Sequence, residues 1–304
     1  MPPRTFEFVQ LDVFTRTPLT GNPLAVFTDA RGLTDKEIQA LAREMNLSET
    51  TFILPREPAV EASEGKKVRI FTVEEELPFA GHPTLGTALY LHESNSAVDE
   101  ITLDLKVGKI PVRFSGDARD TSRPRVDGRV FGEMRQRDPE FGLVLPSEKV
   151  ARVIGVDVGD IASVGPCQVV STGLPFAIIP IRDSQTLMRL KNSSARAATF
   201  LEGTGARFFY FLCLEPREGP LAACARMFFY GGEDPATGSA AGCAASWLVK
   251  YGLAKPHEQV VIHQGGEAGR PSEIFVQAKC EEGRVTDVRV GGYAIEVLRG
   301  AVTL

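Results

Sequence analysis

The chain has 304 residues, of which 43% are hydrophobic and 24% are charged. This length and composition predict a folded protein with a sizeable core, most simply in two domains, and exclude a disordered chain. The 34 basic and 39 acidic residues give a formal net charge of -5. No positive field is therefore available for a polyanion, and we expect no nucleic-acid partner.

Cysteine usage and the N-terminal sequence indicate the compartment. The five cysteines are odd in number, widely spaced and free of any C-x-x-C pair, which is typical of reduced core residues. Residues 1–8 lack an apolar run of signal length, and no segment is long enough to span a bilayer. We therefore expect a cytoplasmic protein without a membrane partner.

The first elements in chain order are strands followed by a helix. Residues 6–14 and 24–27 are rich in Phe and Val, which favours strands, with turn residues between them. A capping-box sequence at Thr34 and Glu37 then predicts a helix, and Asn46 is a plausible left-handed stop. Further strands are predicted over residues 50–54, 67–72 and 101–105.

Two later helices have an unusual composition. The sequence predicts one over residues 83–92 and another over residues 235–251, which Gly252 ends; strands at 208–214 and 226–230 precede the second. Both helices are rich in Gly, Ala, Thr, Ser and Cys, and both faces of the second are uncharged. We expect the second helix to be buried on all sides, as in a helix enclosed by a half-barrel of strands.

The sequence contains an internal repeat. The stretch from Thr20 to Phe27 is echoed by the stretch from Thr172, and the stretch from His82 is echoed by that from Asp234. Both pairs share an offset of 152 residues (172 − 20 and 234 − 82). Two matches at one offset of half the chain favour a tandem duplication over chance.

The duplication predicts two similar domains. Residues 116–139 form the most polar and irregular stretch, so we place the connection between the halves there. The predicted domains are residues 1–128, with a central helix from Pro83, and residues 129–304, with a central helix from Pro235. The terminal strand of the second domain is allowed to cross back to the first half.

Candidate functional residues lie at the two repeated helix starts. A polar residue before a proline is a helix-start signal, so His82 and Asp234 are predicted N-caps whose helices face one cleft between the halves. Backbone N–H groups at such starts can bind a carboxylate. Asp234 alone would be read as a simple cap, but His is a poor cap. The hydroxyl of Ser239 could hydrogen-bond either a ligand or the backbone of its own helix, and the sequence favours neither.

Glu49 is a candidate acid or base. It lies between a helix and a strand among apolar and hydroxyl side chains, where the pKa of a carboxyl group can rise; without further support a solvated loop glutamate would be the preferred interpretation. The sequence lacks a G-x-S-x-G elbow, a phosphate-binding loop, a dinucleotide fingerprint and histidines at metal-ligand spacing. We therefore expect no cofactor and no metal.

Four stretches together resemble the PhzF family of phenazine-biosynthesis proteins, which has the diaminopimelate-epimerase-like fold, and the resemblance covers essentially the whole chain. The stretches are Leu11-Asp12-Val13-Phe14 through Thr20-Gly21-Asn22-Pro23, Asn46-Leu47-Ser48-Glu49-Thr50, Leu77-Pro78-Phe79-Ala80-Gly81-His82-Pro83-Thr84, and Glu233-Asp234-Pro235-Ala236-Thr237-Gly238-Ser239-Ala240. The resemblance implies an α+β protein of two duplicated half-barrel domains, each wrapped around a central helix, with the active site in the cleft and a homodimer as the assembly.

The same resemblance implies a cofactor-independent isomerase that moves a proton between carbons of a small carboxylate-bearing metabolite, similar to trans-2,3-dihydro-3-hydroxyanthranilate isomerase. Glu49 matches the family's acid and base. The family's ligand-orienting and proton-handling groups are matched by His82, Asp234 and Ser239. Its backbone contacts to a carboxylate are matched by Gly81 and Gly238, and Asn22 is a weaker match.

Two alternatives compete with this interpretation. Racemases on this fold use two facing cysteines, and the helix starts here hold His82 and Asp234 instead, which disfavours a two-cysteine racemase. The other alternative is a non-catalytic metabolite-binding or interaction protein on the same scaffold, which would keep the anion site without needing a protonatable Glu49.

Overall fold

The computed structural model describes residues 3–94, 97–115, 130–192, 194–215, 221–229 and 232–304. The chain forms two compact units, one of residues 1–135 and 291–304 and the other of residues 136–290. The domain boundary that we expected between residues 128 and 129 lies outside the described residues. Within the described residues, no helix is both long and apolar enough to cross a membrane.

The first unit contains nine strands and three helices among its described residues. In chain order they are β1 (Thr5–Val13), β2 (Asn22–Phe27), α1 (Asp35–Met45), β3 (Glu49–Ile53), α2 (Pro58–Glu64), β4 (Lys66–Phe71), β5 (Glu76–Leu77), α3 (Gly81–Ser94), β6 (Glu100–Leu105), β7 (Gly108–Ser115), β8 (Phe131–Arg135) and, at the C-terminal end of the chain, β19 (Ala294–Thr303). β19 pairs antiparallel with β1 from Thr5↔Thr303 to Val13↔Ala294, so the final strand completes this unit.

The rest of the chain supplies the second unit. Its elements are β9 (Glu140–Val144), α4 (Ser147–Ile154), a 3₁₀ turn (Val158–Asp160), β10 (Gln168–Ser171), β11 (Pro175–Pro180), α5 (Ser184–Arg189), α6 (Ser194–Leu201), β12 (Phe208–Glu215), β13 (Ala222–Arg226), β14 (Phe228–Phe229), β15 (Gly232–Glu233), α7 (Gly238–Lys250), β16 (Val260–Gln264), β17 (Ser272–Glu281) and most of β18 (Arg284–Gly292). The chain returns to the first unit at Gly291.

The two units repeat one order of strand pairing. In the first unit β1–β2 is antiparallel, β2–β3 parallel, β3–β4 antiparallel, β4–β6 parallel and β6–β7 antiparallel. In the second unit β10–β11, β11–β12, β12–β13, β13–β16 and β16–β17 follow the same alternation. The helix α3 or α7 comes before the second parallel strand in each case. Five pairings in one order are the structural counterpart of the repeat in the sequence.

The turn before the second strand of each repeat requires a glycine-like backbone. Gly21 has φ 69° and Gly173 has φ 138°, both in the region that side chains disfavour. A Cβ on Gly21 would also lie 2.5 Å from the carbonyl oxygen of Val13. These glycines occupy matched positions of the repeated sequence, which explains why that part of the repeat is recognisable.

Both α3 and α7 are enclosed helices. Every residue of α7 from Gly238 to Val249 is buried, and α7 contacts β10, β11 and β17. Every residue of α3 from Gly81 to Leu89 is buried, and α3 contacts β1, β2, β3, β6 and β8. A Cβ on Gly86 would lie 2.7 Å from side-chain atoms of Leu24 and of Val13, so the strands approach this helix closely. The prediction of small-residue helices surrounded by strands is confirmed.

The local signals around α1 are confirmed and position Glu49. The Thr34 hydroxyl accepts a hydrogen bond from the backbone N–H of Glu37, and the Glu37 carboxylate accepts one from the backbone N–H of Thr34, which completes the capping box. Asn46 has φ 50° and ends the helix in the left-handed conformation. The chain then enters β3 at Glu49, whose backbone is paired with Leu24 on the parallel strand β2.

Several element predictions were incomplete or wrong. α3 begins at Gly81, two residues before Pro83, and α7 begins at Gly238, three residues after Pro235. β8 occupies part of the 116–139 stretch that we read as irregular, because Phe131 and Met134 are buried there despite their polar surroundings. The predicted strand over 226–230 is divided between two strands, because Arg226 ends β13 and Phe228–Phe229 form β14. Tyr230 lies outside the described residues.

The contact between Gly165 and Trp247 tests the enclosure of α7. A Cβ on Gly165 would lie 2.4 Å from Cζ2 of the fully buried Trp247, which belongs to α7 and donates to Pro166 O at 3.0 Å. We expect Gly165→Ala to lower the free energy of unfolding by about 1–3 kcal/mol through overpacking.

Urea denaturation measures this loss, and Gly266→Ala is the matched control. Gly266 has nothing within 4 Å of its Cβ position, so its substitution should change stability by less than about 0.5 kcal/mol. Equal midpoints for the two variants would contradict a tightly enclosed Trp247.

Candidate active site

The predicted site residues fall into two groups, one in each unit. Asn22, Glu49, Gly81 and His82 belong to the first unit. Asp234, Gly238 and Ser239 belong to the second. Gly81 and His82 lie in the first turn of α3, and Gly238 and Ser239 lie in the first turn of α7, so each group includes the start of the enclosed helix of its unit.

Glu49 and His82 form the centre of the first group. The Nε2 atom of His82 lies 3.6 Å from Oε2 of Glu49, and the two side chains are 4% and 15% exposed. This separation is too long for a hydrogen bond. Among the described residues no hydrogen-bond acceptor or donor meets the buried Nε2 atom of His82. The imidazole nitrogen and the carboxylate are therefore close neighbours without a direct hydrogen bond.

Burial determines the charge of His82. Desolvation lowers the pKa of its imidazole from 6.5 to about 3, because the charged form loses its hydration inside the unit. His82 is consequently neutral at neutral pH, and its contact with Glu49 is not an ion pair. A neutral imidazole has one donor and one acceptor nitrogen, so it can exchange a hydrogen bond with a carboxyl group or a ligand.

The start of α3 adds backbone donors to this group. Its first main-chain bond runs from Thr84 N to Ala80 O at 3.3 Å, and the Thr84 hydroxyl also donates to Ala80 O at 2.7 Å. The N–H groups of Gly81 and His82 precede that bond and therefore have no acceptor within the helix. Pro83 follows them and has no N–H group, which fits its place in a first helical turn.

Asn22 is also part of the first group. It is fully buried at the start of β2, opposite Val13 on β1. Leu24, two residues further along β2, is the backbone partner of Glu49. Asn22 and Glu49 therefore lie near the same end of two neighbouring parallel strands.

Asp234 is held by a buried hydrogen-bond network in the second group. The hydroxyl of Thr237 donates to Oδ2 of Asp234 at 2.7 Å. Nε2 of Gln264 donates to the backbone oxygen of Asp234 at 2.8 Å and to the Thr237 hydroxyl at 2.9 Å. Oε1 of Gln264 accepts from Thr237 N at 3.2 Å and from the Tyr210 hydroxyl at 3.1 Å. All four side chains are buried.

The prediction that Asp234 caps a helix is wrong, and the prediction for His82 needs the same correction. The N-cap of α7 is Thr237, so Asp234 lies four residues before the helix, whereas His82 lies inside the first turn of α3. The physical reason is Gln264, whose amide satisfies backbone groups of Asp234 and Thr237 that a helical turn would otherwise pair. The segment from Asp234 to Thr237 can therefore stay non-helical.

Gly238 and Ser239 form the first turn of α7. The first main-chain bond of the helix runs from Ala241 N to Thr237 O at 2.9 Å, so the N–H groups of Gly238 and Ser239 have no acceptor within it. The backbone oxygen of Gly238 accepts from Nε2 of Gln136 at 3.0 Å. The Ser239 side chain is buried at this helix start.

Three supporting residues of the second group were missed by the sequence analysis. Gln264 and Tyr210 lie in strands with no local signal that distinguishes them from core positions. Thr237 could have been found, because it lies three residues after Asp234 in the repeated motif and a hydroxyl at that spacing can bond back to a carboxylate. Only the fold shows that Gln264 reaches both residues.

The described residues contain no cluster of three or more His, Cys, Asp or Glu side chains that could hold a metal ion. The five cysteines are free thiols. Neither site group therefore offers a ready set of metal ligands in the part of the chain that the structure covers.

Comparison with known proteins identifies the family and agrees with the fold. The family model described as phenazine biosynthesis-like protein matches residues 11–300. A trans-2,3-dihydro-3-hydroxyanthranilate isomerase of Pseudomonas chlororaphis is 32% identical over 308 residues, which cover 98% of this chain and 99% of that protein. The structure of a predicted epimerase from Pseudomonas aeruginosa has a TM-score of 0.80 at 36% identity, with 98% of this chain and 99% of that chain covered.

A more distant structure shares the fold alone. A hydroxyproline epimerase from Agrobacterium vitis has a TM-score of 0.61 at 12% identity, with 100% of this chain and 93% of that chain covered. The chain belongs to the phenazine biosynthesis-like family, has the diaminopimelate-epimerase-like α+β fold and is an isomerase. The non-catalytic alternative gains no support from these relatives.

The buried His82 makes stability depend on pH. Its folded pKa of about 3 is below the unfolded value of 6.5, so acid favours the unfolded chain, which takes up a proton there first. Between pH 7 and pH 5 we expect the wild type to lose about 2 kcal/mol of unfolding free energy that a His82→Gln variant does not lose.

Urea denaturation at the two pH values checks this difference. His257→Gln changes an exposed histidine and should keep the wild-type loss on acidification. A wild type and a His82→Gln variant that lose stability in parallel would show that the imidazole accepts a proton inside the fold.

Proposed function

We propose that the protein moves a proton between two carbons of a small carboxylate-bearing substrate, with Glu49 as both base and acid. The observation that carries this proposal is the position of the Glu49 carboxylate 3.6 Å from the buried, neutral imidazole of His82. A proton relay needs a carboxylate that can gain and lose a proton during turnover. An uncharged neighbour leaves that exchange open, whereas a fixed cation would hold the carboxylate ionised.

Substrate orientation is assigned to the remaining site residues. The N–H groups of Gly81 and Gly238 stand at helix N-termini, where the helix dipole favours a negative group such as the substrate carboxylate. Asp234 and Ser239 provide polar contacts that fix the substrate, and Asn22 contributes a buried amide to the Glu49 group. Holding the reacting carbons in place contributes much of the rate in such reactions.

The proposed substrate is trans-2,3-dihydro-3-hydroxyanthranilate or a close cyclic amino-carboxylate. The relatives that carry that name are about a third identical over nearly the whole chain. The reaction needs no cofactor in this proposal, since a carboxylate and an imidazole suffice to move one proton.

We further propose that the protein works as a homodimer in the cytoplasm. The family resemblance supports the dimer, and five free thiols fit a reducing compartment. Light scattering after gel filtration measures the mass of the assembly directly, with about 33.0 kDa expected for one chain.

Turnover in heavy water tests the role of Glu49. With trans-2,3-dihydro-3-hydroxyanthranilate as substrate, the wild type should place solvent deuterium on the carbon that receives the proton. We expect Glu49→Gln to lower kcat, and with it the rate of deuterium incorporation, about 10²–10⁴-fold, because an amide cannot take a proton from carbon or return one to it. Mass spectrometry of the product reports the label.

Glu74→Gln is the matched control for charge. Glu74 is an exposed glutamate on the same unit, so the variant has the same change in charge and should retain the wild-type rate and label. If Glu49→Gln incorporated deuterium at the wild-type rate, Glu49 would have no part in the proton transfer. Turnover of other cyclic amino-carboxylates but not of this compound would correct the substrate only.

A further inference from the structure

The network around Asp234 has a defined direction. Oε1 of Gln264 accepts from a backbone N–H group, that of Thr237 at 3.2 Å, so this atom must be the amide oxygen. The Tyr210 hydroxyl, 3.1 Å from the same atom, is then a donor as well. The orientation of the Gln264 amide follows from these two bonds, and Nε2 is identified as its donor end.

The two hydrogens of that donor end are both used. One goes to the backbone oxygen of Asp234 at 2.8 Å, and the other goes to the Thr237 hydroxyl at 2.9 Å. Because the hydroxyl of Thr237 accepts from Gln264, its own hydrogen is directed to the carboxylate oxygen Oδ2 of Asp234 at 2.7 Å. Every bond in the chain from Tyr210 to Asp234 therefore has only one consistent assignment.

Burial makes this chain of bonds specific. Tyr210 is fully buried, and Gln264, Thr237 and Asp234 are 3%, 6% and 7% exposed. Little water can replace a lost partner there, so each bond restricts its neighbours more than a surface bond would. Burial, followed by the negative charge of Asp234, holds the pKa of Tyr210 well above its usual range, so its hydroxyl remains a donor.

We propose that Thr237 and Gln264 are positioning residues, which hold the carboxylate of Asp234 in one rotamer as a hydrogen-bond acceptor toward the substrate. Thr237 acts on the carboxylate directly, and Gln264 acts through Thr237 and through the backbone of Asp234. This inference rests on the proposed function, in which Asp234 orients the substrate. In this proposal Thr237 and Gln264 act through Asp234 and do not contact the substrate themselves.

A variant series at Thr237 tests the proposal with trans-2,3-dihydro-3-hydroxyanthranilate as substrate. Thr237→Val keeps the shape of the side chain and removes the hydroxyl, and we expect kcat/KM to fall about 10²-fold because Asp234 is no longer held in place. Thr237→Ser keeps the hydroxyl and should restore most of the rate. A residue with only a packing role would show the opposite order, since valine preserves the packing better.

A double-mutant cycle with Asp234→Asn separates positioning from other effects. If Thr237 acts through the Asp234 carboxylate, Thr237→Val should have little further effect on kcat/KM in the Asp234→Asn protein. Full additivity of the two substitutions would overturn the proposal. A wild-type rate for Asp234→Asn would overturn both the role of Asp234 and the positioning role of Thr237, whereas the Glu49→Gln result would stand independently.

Crystal structures of the Thr237→Val and Thr237→Ser proteins give a readout that does not depend on the substrate. We expect the Asp234 side chain to leave its position or become disordered in the valine protein and to keep it in the serine protein. An unchanged Asp234 rotamer in the valine protein would overturn the proposal even if the protein acts on a different substrate. Urea denaturation of both variants confirms that they are folded.

Discussion

The enclosure of one helix by strands is the constraint on which each unit depends. A helix buried on every side can carry only small or tightly fitted side chains, and α3 and α7 are built in that way. Gly86 shows the closeness, because a single added carbon there would meet Leu24 and Val13 at 2.7 Å. A helix held so closely cannot shift its start, and the side chains at that start are fixed with it.

The two units use different local structures at that start. In the first unit the helix includes His82 in its first turn, and in the second the corresponding Asp234 precedes the helix by four residues. Gln264 compensates by bonding to the backbone of Asp234 and Thr237. The repeated sequence has thus kept the position of a candidate site residue, whereas the local conformation at that position differs between the two units.

The difference in conformation gives the two carboxylates different surroundings. Glu49 faces the nitrogen of an imidazole that burial keeps neutral, whereas Asp234 accepts a short hydrogen bond from a buried threonine hydroxyl. A proton-transferring group needs the first kind of environment and an orienting group needs the second. The proposed division of roles between Glu49 and Asp234 follows from this contrast rather than from residue type.

Local signals in the sequence determined much of the architecture. The capping box at Thr34, the left-handed Asn46 and the small-residue helices depend on short-range preferences, so the sequence alone was sufficient to predict them. The 152-residue offset likewise predicted a duplication, and the same order of strand pairings occurs in both units. The family resemblance rested on short contiguous motifs around Glu49, His82 and Asp234, which can be recognised from the sequence alone.

Only the tertiary structure decided how those residues are supported. The late start of α7 depends on Gln264, which is distant in sequence and bonds to Asp234 and Thr237 through the fold. The neutral state of His82 depends on burial, which is a property of the surrounding strands and has no local sequence signal. Long-range contacts and desolvation are set by the packed chain as a whole, and this is why the sequence indicated the site residues but not their environments.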